Sequence, residues 1–170
     1  YISIPFCPTR CSYCSFVSYT SNKLLSLIPD YLLHLVKDLE ALFEKIRQMR
    51  LNLRTIYIGG GTPTILTADQ LRFLLSKIAE HTDVTKLEEY TLESGRPDTI
   101  TAEKFAVAKE YGVTRVCVNP QSLCDEVLQS IGRSHSAEDF LRFDLHGKPV
   151  MPLPLDRGVP EFSYKSSGKP

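Results

Sequence analysis

The sequence lacks an excess of charge of either sign: its 170 residues include 20 Lys and Arg and 20 Asp and Glu. Proteins that bind nucleic acids or membrane surfaces usually carry a basic patch or run, so this balance argues against both partners. No apolar run approaches the roughly 18 residues of a membrane span. No signal peptide is visible, because Pro5, Cys7 and Arg10 interrupt the first apolar stretch.

Cysteine is too scarce and too unevenly spread for a disulfide framework. Of the five cysteines, three fall within eight residues, whereas Cys117 and Cys124 stand apart. Such clustering favours metal binding in a reducing compartment, so we predict a cytoplasmic protein. For the two separate cysteines we expect ordinary packing. The sequence starts at Tyr1 within an apparent strand and without an initiator Met, and we expect it to be a piece of a longer protein.

Strands alternate with helices along the first 140 residues. Alternating or apolar runs predict strands at 1–4, 54–58, 87–92 and 113–118. Helical spacing with caps predicts helices at 29–49, 67–80, 101–111 and 125–131, and another starting at Ser136. This order is typical of an α/β fold with a parallel sheet and right-handed connections.

Each predicted strand ends in a polar or glycine-rich element. These elements are residues 7–14, residues 59–64, Glu93 and Gln121. Parallel α/β sheets place their ligand sites at the carboxyl ends of the strands. We therefore expect the four elements to form one composite site.

The first element is a C-x3-C-x2-C run, formed by Cys7, Cys11 and Cys14. Three thiolates from one loop can bind three irons of a cubane cluster and leave the fourth iron open to a cofactor or substrate. Structural zinc needs four ligands, and the next Cys or His is His34, inside a predicted helix. Three ordinary buried cysteines are the other alternative, but the loop around Pro8 is polar.

The other elements have weaker signals of their own. The glycine run at 59–64 lacks the lysine of a P-loop, and without the cysteines it would be read as a tight turn. A glutamate such as Glu93 at a strand end is usually solvated. Gln121 follows a proline as in a simple turn, and Arg133 suits the end of a helix dipole.

Two motifs taken together resemble those of the radical S-adenosylmethionine (SAM) superfamily. They are the cysteine run, with Tyr13 before its last cysteine, and the Gly-Gly-Gly-Thr-Pro-Thr run. The resemblance implies the N-terminal part of a partial (βα) barrel, with a [4Fe-4S] cluster on Cys7, Cys11 and Cys14. It also implies that SAM binds the fourth iron through its amino and carboxylate groups. Reductive cleavage of SAM then gives a 5′-deoxyadenosyl radical that abstracts a hydrogen from the substrate.

Within the superfamily, residues 1–7, 58–64, 93–101 and 119–135 resemble the oxygen-independent coproporphyrinogen III oxidases. The resemblance implies that the cluster-bound SAM is contacted by Tyr1, Tyr13, Gly60, Gly61, Thr62 and Glu93. It implies that a second SAM is contacted by Gln121 and Arg133. The implied substrate is a tetrapyrrole, coproporphyrinogen III. The implied reaction is the oxidative decarboxylation of two of its propionates to the vinyl groups of protoporphyrinogen IX. A donor protein would supply electrons.

One departure keeps an alternative open. The well-studied branch of this group carries a cysteine two residues past the third cluster cysteine, and this sequence has Phe16 there. Related haem chaperones also lack that cysteine, and they bind haem instead of oxidising a porphyrinogen. A radical SAM-like haem chaperone is therefore the second hypothesis, and a zinc-binding structural module is the third.

The resemblance covers about residues 1–140, which we interpret as a truncated radical SAM core. Residues 141–170 form a different segment, because five of the eleven prolines lie within 149–170. Proline lacks the N–H that a central strand needs, so we expect this tail to be irregular. A mis-joined or out-of-frame translation of about residues 141–157 and a genuine divergent tail are both open.

Overall fold

Four parallel strands form one sheet, and their order across the sheet is their order along the chain. They are β1 (Ile2–Ile4), β2 (Thr55–Gly60), β3 (Glu89–Glu93) and β4 (Arg115–Cys117). The computed structural model describes residues 1–140. Over that range it confirms the predicted alternation of strands and helices, as in the first units of a (βα) barrel.

Five helices connect or follow the strands. They are α1 (Asn22–Leu25), α2 (Ile28–Gln48), α3 (Ala68–His81), α4 (Ala102–Glu110) and α5 (Asp125–Ser130). The short helix α1 was not predicted; it lies between the cysteine loop and the helix predicted from residue 29. Among the residues described, no helix combines the length and the apolar character that crossing a membrane requires.

The helix ends follow the capping signals of the sequence. The Thr67 hydroxyl accepts from the Gln70 backbone N–H, and the Gln70 side chain accepts from that of Thr67, which completes the predicted capping box of α3. The Thr101 hydroxyl caps α4 in the same manner by accepting from the Lys104 N–H. Gly112 follows α4 at φ +78°, a conformation that favours glycine.

The strand register brings the functional elements to one edge of the sheet. Ile4 is paired with Gly60, Ile58 with Leu92, and Glu93 with Cys117. The carboxyl ends of the four strands are therefore level with one another. The cysteine loop after β1, the glycine run after β2 and the polar turn after β3 begin side by side.

The core lies between the sheet and the helices. Alternate strand residues such as Ile4, Ile58 and Leu92 are fully buried. They belong to one apolar cluster with the buried faces of α2 and α3, which consist of Leu32, Leu39, Phe43, Leu71, Leu74, Leu75 and Ile78. Burial of these two helical stripes fixes the helices on the sheet and keeps the strand register in place.

The structure shifts the predicted strand limits by one or two residues. β2 runs on through Gly59 to Gly60, so that the first two residues of the glycine run are strand rather than turn. β4 is only three residues long and ends at Cys117, one residue before the predicted end. The predictions for residues 141–170 lie outside the described residues, as does most of the helix predicted from Ser136.

We expect Leu75→Ala to lower the free energy of unfolding by about 2–5 kcal/mol, because Leu75 is fully buried and its loss leaves a cavity between α3 and the sheet. The control Leu33→Ala, at a side chain on α2 that is 54% exposed, should change stability by about 0.5 kcal/mol or less. Denaturant unfolding followed by circular dichroism measures both. Equal losses in the two variants would contradict this placement of the core.

Candidate functional site

One cavity lies at the carboxyl ends of the strands. It brings together ten of the eleven residues that the sequence singles out: Cys7, Cys11, Tyr13, Cys14, Gly60, Gly61, Thr62, Glu93, Gln121 and Arg133. These residues come from the segments that follow all four strands. The eleventh, Tyr1, does not line the cavity; it precedes β1 and is 76% exposed.

The cysteine loop is held by backbone contacts at both of its ends. The Cys7 N–H donates to the Tyr19 carbonyl at 3.0 Å, and the Tyr19 N–H donates to the Pro5 carbonyl at 2.8 Å. Farther along the loop, the Ser12 N–H donates to the Ile131 carbonyl at 3.1 Å, just after α5. The loop therefore closes on itself and also contacts the C-terminal end of α5.

The three loop cysteines are free thiols with different exposure. Cys7 and Cys11 are buried, and Cys14 is partly buried. Burial raises the pKa of the Cys7 thiol, whereas the neighbouring Thr62 hydroxyl and the positive charge of Arg96 act in the opposite direction. The Thr62 Oγ1 atom lies 3.3 Å from Cys7 Sγ. Thr62, which the resemblance assigns to SAM, thus contacts a cysteine here.

The type of donor fits an iron-sulfur cluster, although the side chains are not arranged around a metal. Within residues 1–140, no three Cys, His, Asp or Glu side chains are arranged as a metal-binding group. Thiolates from one loop are nevertheless the ligands that hold iron-sulfur clusters. The cavity contains three cysteines and no histidine, which falls short of the four ligands of structural zinc.

The glycine run lies directly beside the cysteine loop. The Gly61 N–H donates to the Ile4 carbonyl at 2.9 Å, and a Cβ atom on Gly61 would come within 2.8 Å of Cys7 Sγ. Gly60 has a φ of +108°, and a Cβ there would meet the Ile4 backbone. Glycine is therefore required at both positions, and the bare backbone forms a cradle next to the thiols.

Glu93 is held between two side chains that the sequence analysis did not single out. The Tyr57 hydroxyl donates to Glu93 Oε2, and the Asn119 side-chain amide donates to Oε1, both at 3.2 Å. Burial raises the pKa of the Glu93 carboxyl, and these two hydrogen bonds oppose that rise. Burial and the charge of Glu93 raise the pKa of Tyr57 to about 12. Tyr1 stacks on Tyr57, with ring centroids 5.7 Å apart, so it supports the Glu93 cluster from outside.

Arg133 reaches across the cavity instead of capping α5. Its Nη1 donates to the Gly95 carbonyl at 2.9 Å, and its Nη2 donates to the Tyr13 hydroxyl at 3.3 Å. Its buried Nε has no hydrogen-bond partner among the residues that the structure describes. The nearby Gln121 is exposed and has a φ of +69°, which is uncommon for a residue other than glycine. The contacts of Arg133 therefore differ from those of a helix-end cation, and the backbone of Gln121 differs from that of an ordinary turn residue.

Arg96 is the cavity residue that the sequence analysis missed most clearly. It lies between Gly95 and Pro97 after β3, is 2% exposed, and donates from Nη2 to Cys11 Sγ at 3.1 Å. A charged residue between a glycine and a proline at a strand end was the available signal. The contact itself spans 85 positions of sequence and is not visible in any local pattern.

Comparisons with known proteins agree with this arrangement. The radical SAM superfamily matches residues 1–143. The chain is 38% identical to the oxygen-independent coproporphyrinogen-III oxidase-like protein HemZ of Bacillus subtilis, over 97% of this chain and 34% of that protein. It is 37% identical to the heme chaperone HemW of Haemophilus influenzae, over 82% of this chain and 36% of that protein.

A solved structure shows the same fold. Coproporphyrinogen III oxidase (HemN) from Escherichia coli superposes with a TM-score of 0.66 at 22% identity, over 86% of this chain and 33% of that one. The chain thus spans about a third of the length of these relatives. The superfamily match covers most of the sequence, and the cysteine loop, glycine run and parallel strands all lie inside it. This chain belongs to the radical SAM superfamily.

Proposed function

We propose that Cys7, Cys11 and Cys14 hold a [4Fe-4S] cluster and that the neighbouring strand ends bind SAM on it. The superfamily implies both cofactors. The observation that supports this proposal for this chain is the single cavity that contains the three thiols, the glycine cradle and Glu93. When bound, the cluster and SAM supply one-electron chemistry that removes a hydrogen atom from an unactivated carbon.

The chain's own residues would bind and orient SAM. The backbone of Gly60 and Gly61 can approach a ligand closely because no side chain intervenes. Glu93, held by Tyr57 and Asn119, would accept a hydrogen bond from the amino group of SAM. The positive sulfonium of bound SAM would also favour the ionised carboxylate, which offsets the effect of burial on the Glu93 pKa.

Two further residues are proposed to act at the outer part of the site. Tyr13 and Arg133 are joined by a hydrogen bond, and both line the cavity. The unpartnered Nε of Arg133 offers a donor to a carboxylate or hydroxyl of a ligand. Together with Gln121, Arg133 would contact a second SAM, as the family resemblance implies. Tyr1 would contribute indirectly, through its stacking on Tyr57.

For the reaction, we propose oxidative decarboxylation of coproporphyrinogen III to protoporphyrinogen IX in the cytoplasm. The similarity to an oxygen-independent coproporphyrinogen-III oxidase-like protein over 97% of this chain supports this choice. The substrate would be a tetrapyrrole, and a donor protein would supply the electrons. Hydrogen abstraction from each of two propionate side chains, followed by loss of CO2 and transfer of one electron to an acceptor, would leave a vinyl group.

Haem binding without oxidation is the second candidate function. Phe16, 64% exposed, lines the cavity two residues past Cys14, where the well-studied oxidase branch has a cysteine. The chain is also 37% identical over 85% of its length to the heme chaperone HemW of Bacillus subtilis. An apolar ring at this position suits a flat apolar ligand better than it suits a polar cofactor.

We expect the chain to take up about four irons on anaerobic reconstitution, and Cys11→Ser to lose most of that iron, because the variant lacks one of three thiolate ligands. Iron and sulfide analysis with the visible absorbance spectrum measures the loss. Cys124→Ser is the matched control, since Cys124 is an exposed cysteine outside the cavity. Wild-type iron content in Cys11→Ser would contradict the proposed ligand set.

We expect Glu93→Gln to weaken SAM binding about 10–100-fold, because the neutral amide is a weaker hydrogen-bond acceptor than the carboxylate and carries no charge opposite the SAM cation. Titration calorimetry with the cluster-loaded protein measures this change. Glu89→Gln is the control on the same strand, because its side chain pairs with Arg115 and not with the cavity. Equal SAM affinity in Glu93→Gln and wild type would contradict the proposed contact.

The same variant carries an internal check on folding. The raised pKa of Glu93 means that the folded protein favours the neutral carboxyl, so ionisation at neutral pH opposes folding. Glu93→Gln should therefore be at least as stable as wild type at pH 7. Its advantage in stability should vanish as the pH falls below 4.5, the usual pKa of a glutamate. A loss of SAM affinity together with a loss of stability would point to misfolding instead.

Incubation of the full-length, cluster-loaded protein with SAM, reductant and coproporphyrinogen III separates the two candidate functions. We expect vinyl products and released CO2. Chromatography of the oxidised porphyrins measures the vinyl products. Haem titration by absorbance runs in parallel as the second measurement. Tight haem binding without any vinyl product would favour the chaperone over the oxidase.

A further inference from the structure

Arg96 has an environment that the proposed cofactor contacts do not explain. It is the largest fully buried side chain of the described residues, and it carries a permanent charge. Its backbone lies in the turn after β3, between Gly95 and Pro97. The side chain runs from this turn into the loop that carries the cysteines.

Both terminal nitrogens of Arg96 are bound to the cysteine loop. Nη1 donates to the Thr9 hydroxyl, and Nη2 donates to the Thr9 carbonyl, each at 2.7 Å. Nη2 also donates to Cys11 Sγ at 3.1 Å. The guanidinium group is therefore fixed in position by its planar fork, and one edge faces a cluster cysteine.

No carboxylate balances this charge in the part of the chain that the structure describes. No Asp or Glu there forms an ion pair with Arg96, although six Lys–acid or Arg–acid pairs occur elsewhere on the surface. An unpaired buried charge is strongly unfavourable, so such a charge normally has an anionic partner. The groups that Arg96 faces are Thr9, which is neutral, and Cys11, which is a proposed cluster ligand.

A second loop cysteine faces the same space. Cys7 lines the cavity together with Cys11 and Arg96, and its Sγ lies 3.3 Å from the Thr62 hydroxyl. The buried cation and the thiols together form a site whose charges balance only when the loop holds an anion.

We propose that Arg96 is the built-in counter-cation of the cluster: it positions Cys11 and raises the reduction potential of the cluster. The proposal rests on the proposed cluster function and assigns a role to a residue that this function left unused. One-electron reduction adds a negative charge next to a fixed cation in a buried site, which stabilises the reduced form. Hydrogen bonds to the cluster sulfurs act in the same direction. Arg96 is thus a positioning residue and takes no direct part in the chemistry.

The measurement that separates this role from simple packing is the midpoint potential of the reconstituted cluster. Anaerobic redox titration followed by electron paramagnetic resonance gives this value without any substrate. For Arg96→Gln, we expect the ratio of reduced to oxidised cluster at a fixed potential to fall about tenfold, which corresponds to about 59 mV for one electron. Arg96→Lys retains the charge without the planar fork, and in this variant the ratio of reduced to oxidised cluster should fall about threefold.

Arg10→Gln is the matched control. It removes one positive charge from the cysteine loop itself, at an exposed position where solvent and salt screen the charge. We expect its midpoint potential to lie close to that of the wild type. A shift as large as that of Arg96→Gln would show that net charge alone is responsible, and the proposal would then be overturned.

The remaining outcomes are also decisive. Arg96→Gln with wild-type iron content and wild-type potential would overturn the proposal and leave the cluster assignment intact. Wild-type protein that takes up no iron would contradict the proposed function itself and this role with it. If Arg96→Gln does not fold, Arg96→Lys decides: a potential below that of the wild type supports the proposal, and an unchanged potential overturns it.

Discussion

The level parallel register of the first three strands is the constraint on which the rest of the site depends. Ile4 lies opposite Gly60, and Ile58 lies opposite Leu92. Because side chains alternate along a strand, a slip of one residue would turn Glu93 from the cavity into the apolar layer. The register is held by fully buried apolar residues on the strands, so a dry core fixes the placement of a polar site.

The sequence predicts those parts of the structure that depend on local rules. The capping box at Thr67 and the glycine stop at Gly112 follow from contacts within a few residues, and both are present. The end of β4 and the short helix α1 are less predictable, because tertiary contacts set such boundaries. Arg96 could not be placed at all, since its partners Thr9 and Cys11 are 87 and 85 positions away.

The site combines groups that disfavour folding with a scaffold that holds them. The Glu93 carboxylate is partly desolvated, Gln121 has a left-handed backbone conformation, and Arg96 has a buried charge. Each of these is unfavourable in isolation, and each lies at a strand end that the core keeps rigid. Tyr57 and Asn119 show how the fold limits the penalty, because they satisfy the carboxylate from two sides. Local departures from sequence rules are therefore concentrated where ligands would bind.

The contacts of the cysteine loop with the turn after α5 have a consequence for protein synthesis. The Thr9 hydroxyl donates to the Gly132 carbonyl, 123 positions later in the chain. At about 5–20 residues per second, the ribosome makes that partner about 6–25 seconds after the loop. Arg96 is made 85 residues after Cys11 and the turn is made later still, so the nascent thiols at first lack both contacts. The loop therefore reaches its final arrangement only after nearly the whole of residues 1–140 has been made, even though the cysteines emerge first.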